Sequence, residues 1–361
     1  MMKKNILIIT LVVLALLLLL PVIYFSYCNA TYMGKENEAT VSYLLKHKYV
    51  INADDIQIPD SLGNEFQTGR NHVFIFGETH GFSPTHLMDS QLLIYLNKER
   101  DVRAYGAEIF SQDACQLNKI LNSNWLDEKQ LISVIRDIAK DTPQSKTVDC
   151  LKKWKSIYFY NRKADASHKI HVIGLLGDKQ SYADSLRDET MAHTLLTFMN
   201  DSANADIVKN GCYCFVGLTH AFQTPYLIKG REIPTMGSIL KEHHVSVTSM
   251  VQLAIDSYCY LPKNNEMISP PDESTKLVSS NGPISYFNNI VNLKKASEGV
   301  STAVYSLDGK NSPFWDCNDL VGYKASVPFF GQPYKGKPSC STLDYFQYVF
   351  LIRNHQAPKS I

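Results

Sequence analysis

Two short apolar runs in this chain break in the same way, and that restricts the fold more than any other feature. Val73-Phe74-Ile75-Phe76 runs into Gly77-Glu78-Thr79-His80-Gly81, and Cys212-Tyr213-Cys214-Phe215-Val216 runs into Gly217-Leu218-Thr219-His220. An apolar run of this length closed by glycine reads as a strand buried on both faces. After the first run, Leu87, Met88, Leu92, Leu93 and Leu96 recur at helical spacing over 84–99, and 102–108 reads as a second strand ending in Glu108. Strand, helix and strand in so short a stretch form a parallel βαβ unit, with Glu108 expected on the strand next to the first.

Further strands are expected at 169–175, 245–253 and 345–352, with helices at 182–200 and 236–243 and a short one at 39–48. Between 113 and 164 three helical pieces follow one another, carried by Leu117, Ile120 and Leu121, by Leu131, Ile132, Ile135 and Ile138, and by Leu151, Trp154, Ile157 and Tyr158. That is more helix than one crossover needs. The expected fold class is therefore α/β: a mostly parallel central sheet flanked by helices, with an inserted helical cap over about 112–165 roofing a site at the C-terminal strand ends. Residues 72–361 would form one domain and 31–71 a lead-in, with 256–311 rich in loops and free of any assignable motif.

Open parallel sheets place their sites outside the carboxyl ends of the strands. Glu78, His80, Glu108, Asp178 and His220 are all expected on that edge. A histidine there is suited to act as general base on water, with a carboxylate orienting it. Each residue also has a plainer role to weigh. Glu78 and Thr79 would cap the following helix, Glu108 would be the first residue into solvent, and Asp178 would cap the turn from Ser181. Arg187 shares a helical face with Met191 and would hold a carboxylate or an oxyanion, or merely pair on the surface with Asp184. His243 and His244 complement a helix dipole. What tips the balance toward chemistry is the second Gly-x-x-His ending.

The first thirty residues meet a membrane. Met1-Met2-Lys3-Lys4 precedes residues 6–27, almost wholly apolar. They read either as a signal peptide cut after Ala30 or as a retained N-terminal membrane anchor. In both cases the lysines stay inside and the remainder is exported, to a periplasmic or extracellular face. Lipidation at Cys28 is disfavoured by the bulky Tyr27 before it. Eight cysteines in an exported chain permit disulfides. A Cys317–Cys340 bridge would staple the Pro/Gly-rich stretch 327–333, while Cys212 and Cys214 point the same way from one strand and read as small core residues. No Cys-x-x-Cys supports a thiolate zinc site. The formal net charge of +1 gives no case for nucleic acid, and the lysines of Leu151-Lys152-Lys153-Trp154-Lys155 read as the wet face of a helix.

Taken together, Gly77-Glu78-Thr79-His80-Gly81 after a strand, a strand-ending Glu108, Arg187-Asp188-x-x-Met191-Ala192 in a helix, a later Gly217-Leu218-Thr219-His220 and a closing strand near 344–353 resemble the erythromycin esterase, ChaN-like and Tiki/TraB superfamily. The order and rough spacing match from Val73 to the last strand. The resemblance implies an α/β fold with Glu78, His80, Glu108, Arg187 and His220 at the site. Esterase-like members use the motif histidine as a base for water attack on an ester, without metal. Tiki-like members support metal-dependent peptide cleavage, and ChaN-like members bind haem. The expectation is thus a hydrolase of small-molecule or peptide substrates. Its alternatives are a divalent-metal-dependent peptidase, with Glu78, His80, Glu108 and His220 as ligands, and a haem- or iron-binding protein using these histidines or a tyrosine of the helical cap.

Overall fold

The structure, a computed structural model, describes residues 2–52, 57–263, 269–327 and 332–361. Eight strands form its main sheet: β1 Lys48–Val50, β2 His72–Glu78, β3 Ala104–Ala107, β4 His171–Gly174, β5 Cys212–Gly217, β6 Ser246–Ile255, β7 Thr302–Ser306 and β8 Tyr348–Arg353, in the order β1-β7-β8-β6-β2-β5-β3-β4. From β8 to β4 every pairing is parallel, and β7 runs against both its neighbours. This is the expected α/β architecture. The apolar runs are apolar throughout because both faces are covered. Phe74 and Phe76 of β2 enter one core with Tyr105, Tyr213 and Phe350, and Val73 and Ile75 enter another with Cys212, Cys214, Met191 and Leu195.

Strand order departs from the simplest reading in one respect that matters for the site. β5 lies between β2 and β3, so Glu108 is not on the strand beside Glu78. The chain leaves β2 through the helix α1 Thr85–Arg100, passes over the place of β5 and returns to fill it later. The order puts His220 in the middle, with Glu78 and Glu108 on its flanks.

The insertion between β3 and β4 is present as α2 Ser111–Leu121, α3 Glu128–Ile138 and α4 Val148–Lys163. It packs as a layer on the sheet, and part of it also borders the site. Its buried Leu117, Leu131, Ile135, Trp154 and Ile157 join the core beneath α1 and the sheet, because amphipathic faces of this size need an apolar partner. Among the described residues of the insertion, those that reach the site lie between Ile138 and Trp154. Lys153 also departs from expectation. Its side chain is 4% exposed and its ammonium lies 2.5 Å from Asp89. The Tyr105 and Tyr213 hydroxyls donate to the same carboxylate at 2.7 and 2.9 Å, and Lys153 stands over the Phe215 ring, 4.2 Å from its centre.

Three stretches carry more structure than their composition signals. β1, from the segment read as a lead-in, pairs with β7, and β7 itself lies in the stretch read as loop-rich. A second, five-stranded antiparallel sheet is built from Ser285–Phe287, Gly322–Ala325, Tyr334–Lys335, Tyr226–Ile228 and Arg231–Ile233. Strands of two to five residues are too short to show a period. Cys317 and Cys340 are separate thiols rather than a bridge. Thr342 ties that region by donating its N–H and hydroxyl to the Cys317 carbonyl at 2.7 and 3.1 Å, and 328–331 of the Pro/Gly-rich stretch lie outside the described residues. Cys212 and Cys214 are buried free thiols, as expected.

Candidate active site

The register of β2 against β5 sets Glu78 opposite Gly217, so the two Gly-x-x-His endings leave the sheet side by side. After β2 the chain is pinned at Thr79, whose N–H and hydroxyl donate to Gln252 Oε1 and to the Gln252 carbonyl at 2.9 and 3.0 Å. It then turns at Gly81, where φ is +86° and a side chain would be strained. Neither Glu78 nor Thr79 caps α1, which begins after Pro84 with no side-chain cap. Glu78 instead takes the His80 Nδ1–H at 2.8 Å.

The second histidine is held in the same manner. Beyond β5 the chain coils into a 3-10 turn, Leu218–Ala221, which folds His220 back over the strand end. His220 Nδ1 lies 2.7 Å from Asp188 Oδ1, which also accepts the Met236 N–H at 2.6 Å. With each Nδ1 donating to a carboxylate, each Nε2 is left to the site, carrying a lone pair when the ring is neutral and a proton when it is charged. Both rings meet over Gly217. A Cβ placed there would stand 3.2 Å from His80 Nε2, 3.2 Å from His220 Cδ2 and 3.5 Å from Glu108 Oε2. The missing side chain is therefore what lets the three groups converge.

Glu108 completes the cluster although it stands two strands from Glu78. One oxygen accepts the Gly217 N–H at 2.7 Å and the other accepts from Arg187 at 3.1 Å, with His220 Nε2 3.6 Å away. Arg187, at the start of the helix α5 Arg187–Asn200, also pairs with Asp184 at 2.7 Å and donates to the Tyr182 hydroxyl at 2.8 Å. The surface pairing and the site role hold together. Asp178 is not part of the cluster, because it accepts from the Gln180 N–H and the Gln112 amide as a local turn.

Charge follows from this geometry. Burial opposes the His80 imidazolium, but Glu78, and behind it Glu108, outweigh burial and raise its pKa to about 9. The His80 side chain is 37% exposed, so water softens the burial cost and the upward direction is that of the carboxylates. His220 is raised too, with Glu108 and Asp188 overcoming burial. Burial also works against the charge on Glu78, yet His80 holds its carboxyl below the ordinary value. Burial pushes the thiols of Cys150 and Cys259, which border the site, up to about 12, so neither is a thiolate nucleophile.

Two residues at the site escaped the sequence reading. Asp188 sits beside Arg187 in the motif, and its place in a helix's first turn was the available signal. His86, in the first turn of α1, is buried with Nδ1 unpartnered and its pKa lowered by burial. It borders a cavity of about 40 Å³ behind Glu78, shared with Cys150 and Lys153.

A divalent ion does not fit this cluster well. Both Nδ1 atoms are committed, both Glu108 oxygens are engaged, and Arg187 already supplies positive charge. Among the described residues no group of three or more His, Cys, Asp or Glu side chains is disposed to hold a metal. The tyrosines of the insertion are turned elsewhere: Tyr158 is buried and Tyr160 donates to Asn97. The tyrosines that do reach the cleft, Tyr323 and Tyr334, have pKa values raised by burial and stand as phenols.

No family model matches this sequence, and no curated protein matches it. Solved structures do. A Bacillus cereus protein aligns over 91% of this chain and 100% of its own, with a TM-score of 0.61 and 14% identity. A succinoglycan biosynthesis protein aligns over 89% of this chain and 98% of its own, with a TM-score of 0.57 and 13% identity. The fold is a shared one. An erythromycin esterase variant in its open conformation aligns over 87% of this chain and 98% of its own at 12% identity, with a TM-score of 0.49, too distant to carry an argument. At such identities the likeness establishes the fold, and the chemistry is left to the residues.

Proposed function

We propose that the chain is a hydrolase of esters or amides, tethered to a membrane by its N-terminal segment with the domain on the exported side. The observation that carries this reading is the meeting of two carboxylate-held imidazoles over Gly217. His80 Nε2 takes a proton from water, and the water oxygen bonds to the substrate carbonyl carbon as the carbonyl π pair moves onto oxygen. Glu78 holds the imidazolium that forms, as a buried carboxylate beside a catalytic histidine does. His220, whose proton affinity Glu108 and Asp188 raise, stabilises the oxyanion through Nε2–H in its charged form, and Arg187 adds positive charge behind Glu108. When the tetrahedral centre collapses, the carbon–heteroatom bond breaks and the leaving group departs with the proton from His80.

His80→Ala is expected to lower turnover on a panel of p-nitrophenyl esters and anilides by ~10²–10⁴-fold, the contribution of a positioned base. Turnover in EDTA should match turnover without it. An unchanged rate in the variant, or activity abolished by the chelator, would overturn the reading.

A further inference from the structure

The wall that closes the cleft is the five-stranded sheet, and its two faces do different things. Side chains alternate along a strand, so neighbours in sequence point to opposite faces. Phe287 and Tyr323, directly opposite one another in register, line the cleft beside His80 and His220. Tyr286 and Lys324, the next register pair, face away. There the Tyr286 ring meets Tyr32 edge-on at 5.4 Å, and the Lys324 ammonium stands 5.1 Å over the same Tyr32 ring. Tyr24 donates its hydroxyl to the Ser326 carbonyl at 2.5 Å, and Cys28 is 1% exposed in one apolar cluster with Tyr286. The last turns of the N-terminal helix Met2–Tyr32 are thus docked on the back of the cleft's own wall.

Upstream of that contact the same helix is bare. Leu14 is 55% exposed and Leu18 69%, and an 18-residue window of Ile9–Tyr32 has a mean hydropathy of 2.7. The stretch from Ile6 to Ile23 rises ~27 Å as a helix, the thickness of a bilayer's hydrocarbon core. The helix docks on one face of the small sheet and the cleft lies on the other, so only the thickness of that sheet separates them. The cleft suits what lipid supplies. It holds about 460 Å³ and sets Phe82, Leu261, Val278 and Phe287 across from the histidines. Among the described residues, Glu78 and the two histidines are its sole ionisable side chains apart from Cys259 and two tyrosines that stand as thiol and phenols.

We propose that the cleft takes a membrane-derived amphiphile, its apolar chain against Phe82, Leu261 and Phe287 and its ester or amide group at His80. The placing of the head group rests on the hydrolase reading, and the placing of the chain does not. The test uses the full chain in phosphatidylcholine vesicles carrying a trace of a dodecanoyl ester with a diazirine near the chain end. After photolysis and digestion, mass spectrometry maps the labelled residues in the wild type and in His80→Ala alike. The expected result is labelling of peptides containing Phe82, Leu261 or Phe287, reduced at least fivefold by excess unlabelled dodecanoyl ester and unaffected by the acetyl ester of the same head group. Labelling confined to 2–32, or cleft labelling that the acetyl ester suppresses equally, overturns the proposal. Labelled cleft peptides in a protein that hydrolyses no ester or amide would sink the hydrolase reading alone. Turnover with an unlabelled cleft would sink this proposal and leave that reading standing.

Discussion

Glu78 and Asp188 do the same work on two different histidines, and the consequence is a pH dependence with a definite sign. Each removes the freedom of an Nδ1 and raises the proton affinity of the ring, to a pKa of about 9 for His80. If the neutral imidazole of His80 is the base, turnover rises with pH until about 9, well past the ~6.5 of a free histidine. The same shift acts on folding. A histidine whose pKa is higher folded than unfolded stabilises the protein fully below ~6.5, and that contribution is lost as pH climbs through the folded value. Melting temperature should therefore fall between pH 6.5 and 9, and His80→Gln should flatten that part of the curve. A rate that levels off near pH 7 would contradict both.

At the scale of elements, three strand ends make the site and a buried ion pair holds the layer beneath them. β2, β5 and β3 are parallel neighbours, so Glu78, His220 and Glu108 emerge at one edge without a long loop to place them. Below, α4 is fastened to α1 by Lys153 and Asp89, both buried, with Tyr105 and Tyr213 completing the carboxylate's partners. Lys153→Met leaves Asp89 charged and buried without its cation, and should cost ~3–5 kcal/mol in urea unfolding. Adding Asp89→Asn should recover much of that loss, since the amide oxygen still accepts from one tyrosine hydroxyl and the amide NH2 donates to the other. The sequence showed Lys153 among other lysines on a helix, and nothing in the spacing distinguishes it. What buries it is the carboxylate a turn into α1, a partner sixty-four positions earlier in the chain.

Across the whole molecule, the N-terminal helix, the small sheet and the cleft form one continuous stack. Tyr286 sits at its centre, wholly buried between Tyr32 and the sheet. Tyr286→Ala should cost ~3 kcal/mol, the loss expected for emptying a buried aromatic site, measured by denaturant unfolding of the full chain in detergent micelles. A negligible change would mean that the helix is not docked there. A cut after Ala30 would remove Tyr24 and Cys28 from the stack.

The sequence by itself determined the local pieces: the strands whose apolar runs end in Gly-x-x-His, the amphipathic helices between them, and the polar residues Glu78, His80, Glu108, Arg187 and His220 that meet at the strand ends. These are legible because burial on both faces and helical periodicity leave patterns within a dozen residues. Tertiary structure alone decided that β5 separates β2 from β3, that Asp188 serves His220, that β7 completes the main sheet, and that a second, smaller sheet walls the cleft. Each of those is a pairing between segments far apart in the chain. Short strands, single carboxylates and a buried lysine take their roles from the partner they meet, and that partner is written nowhere near them.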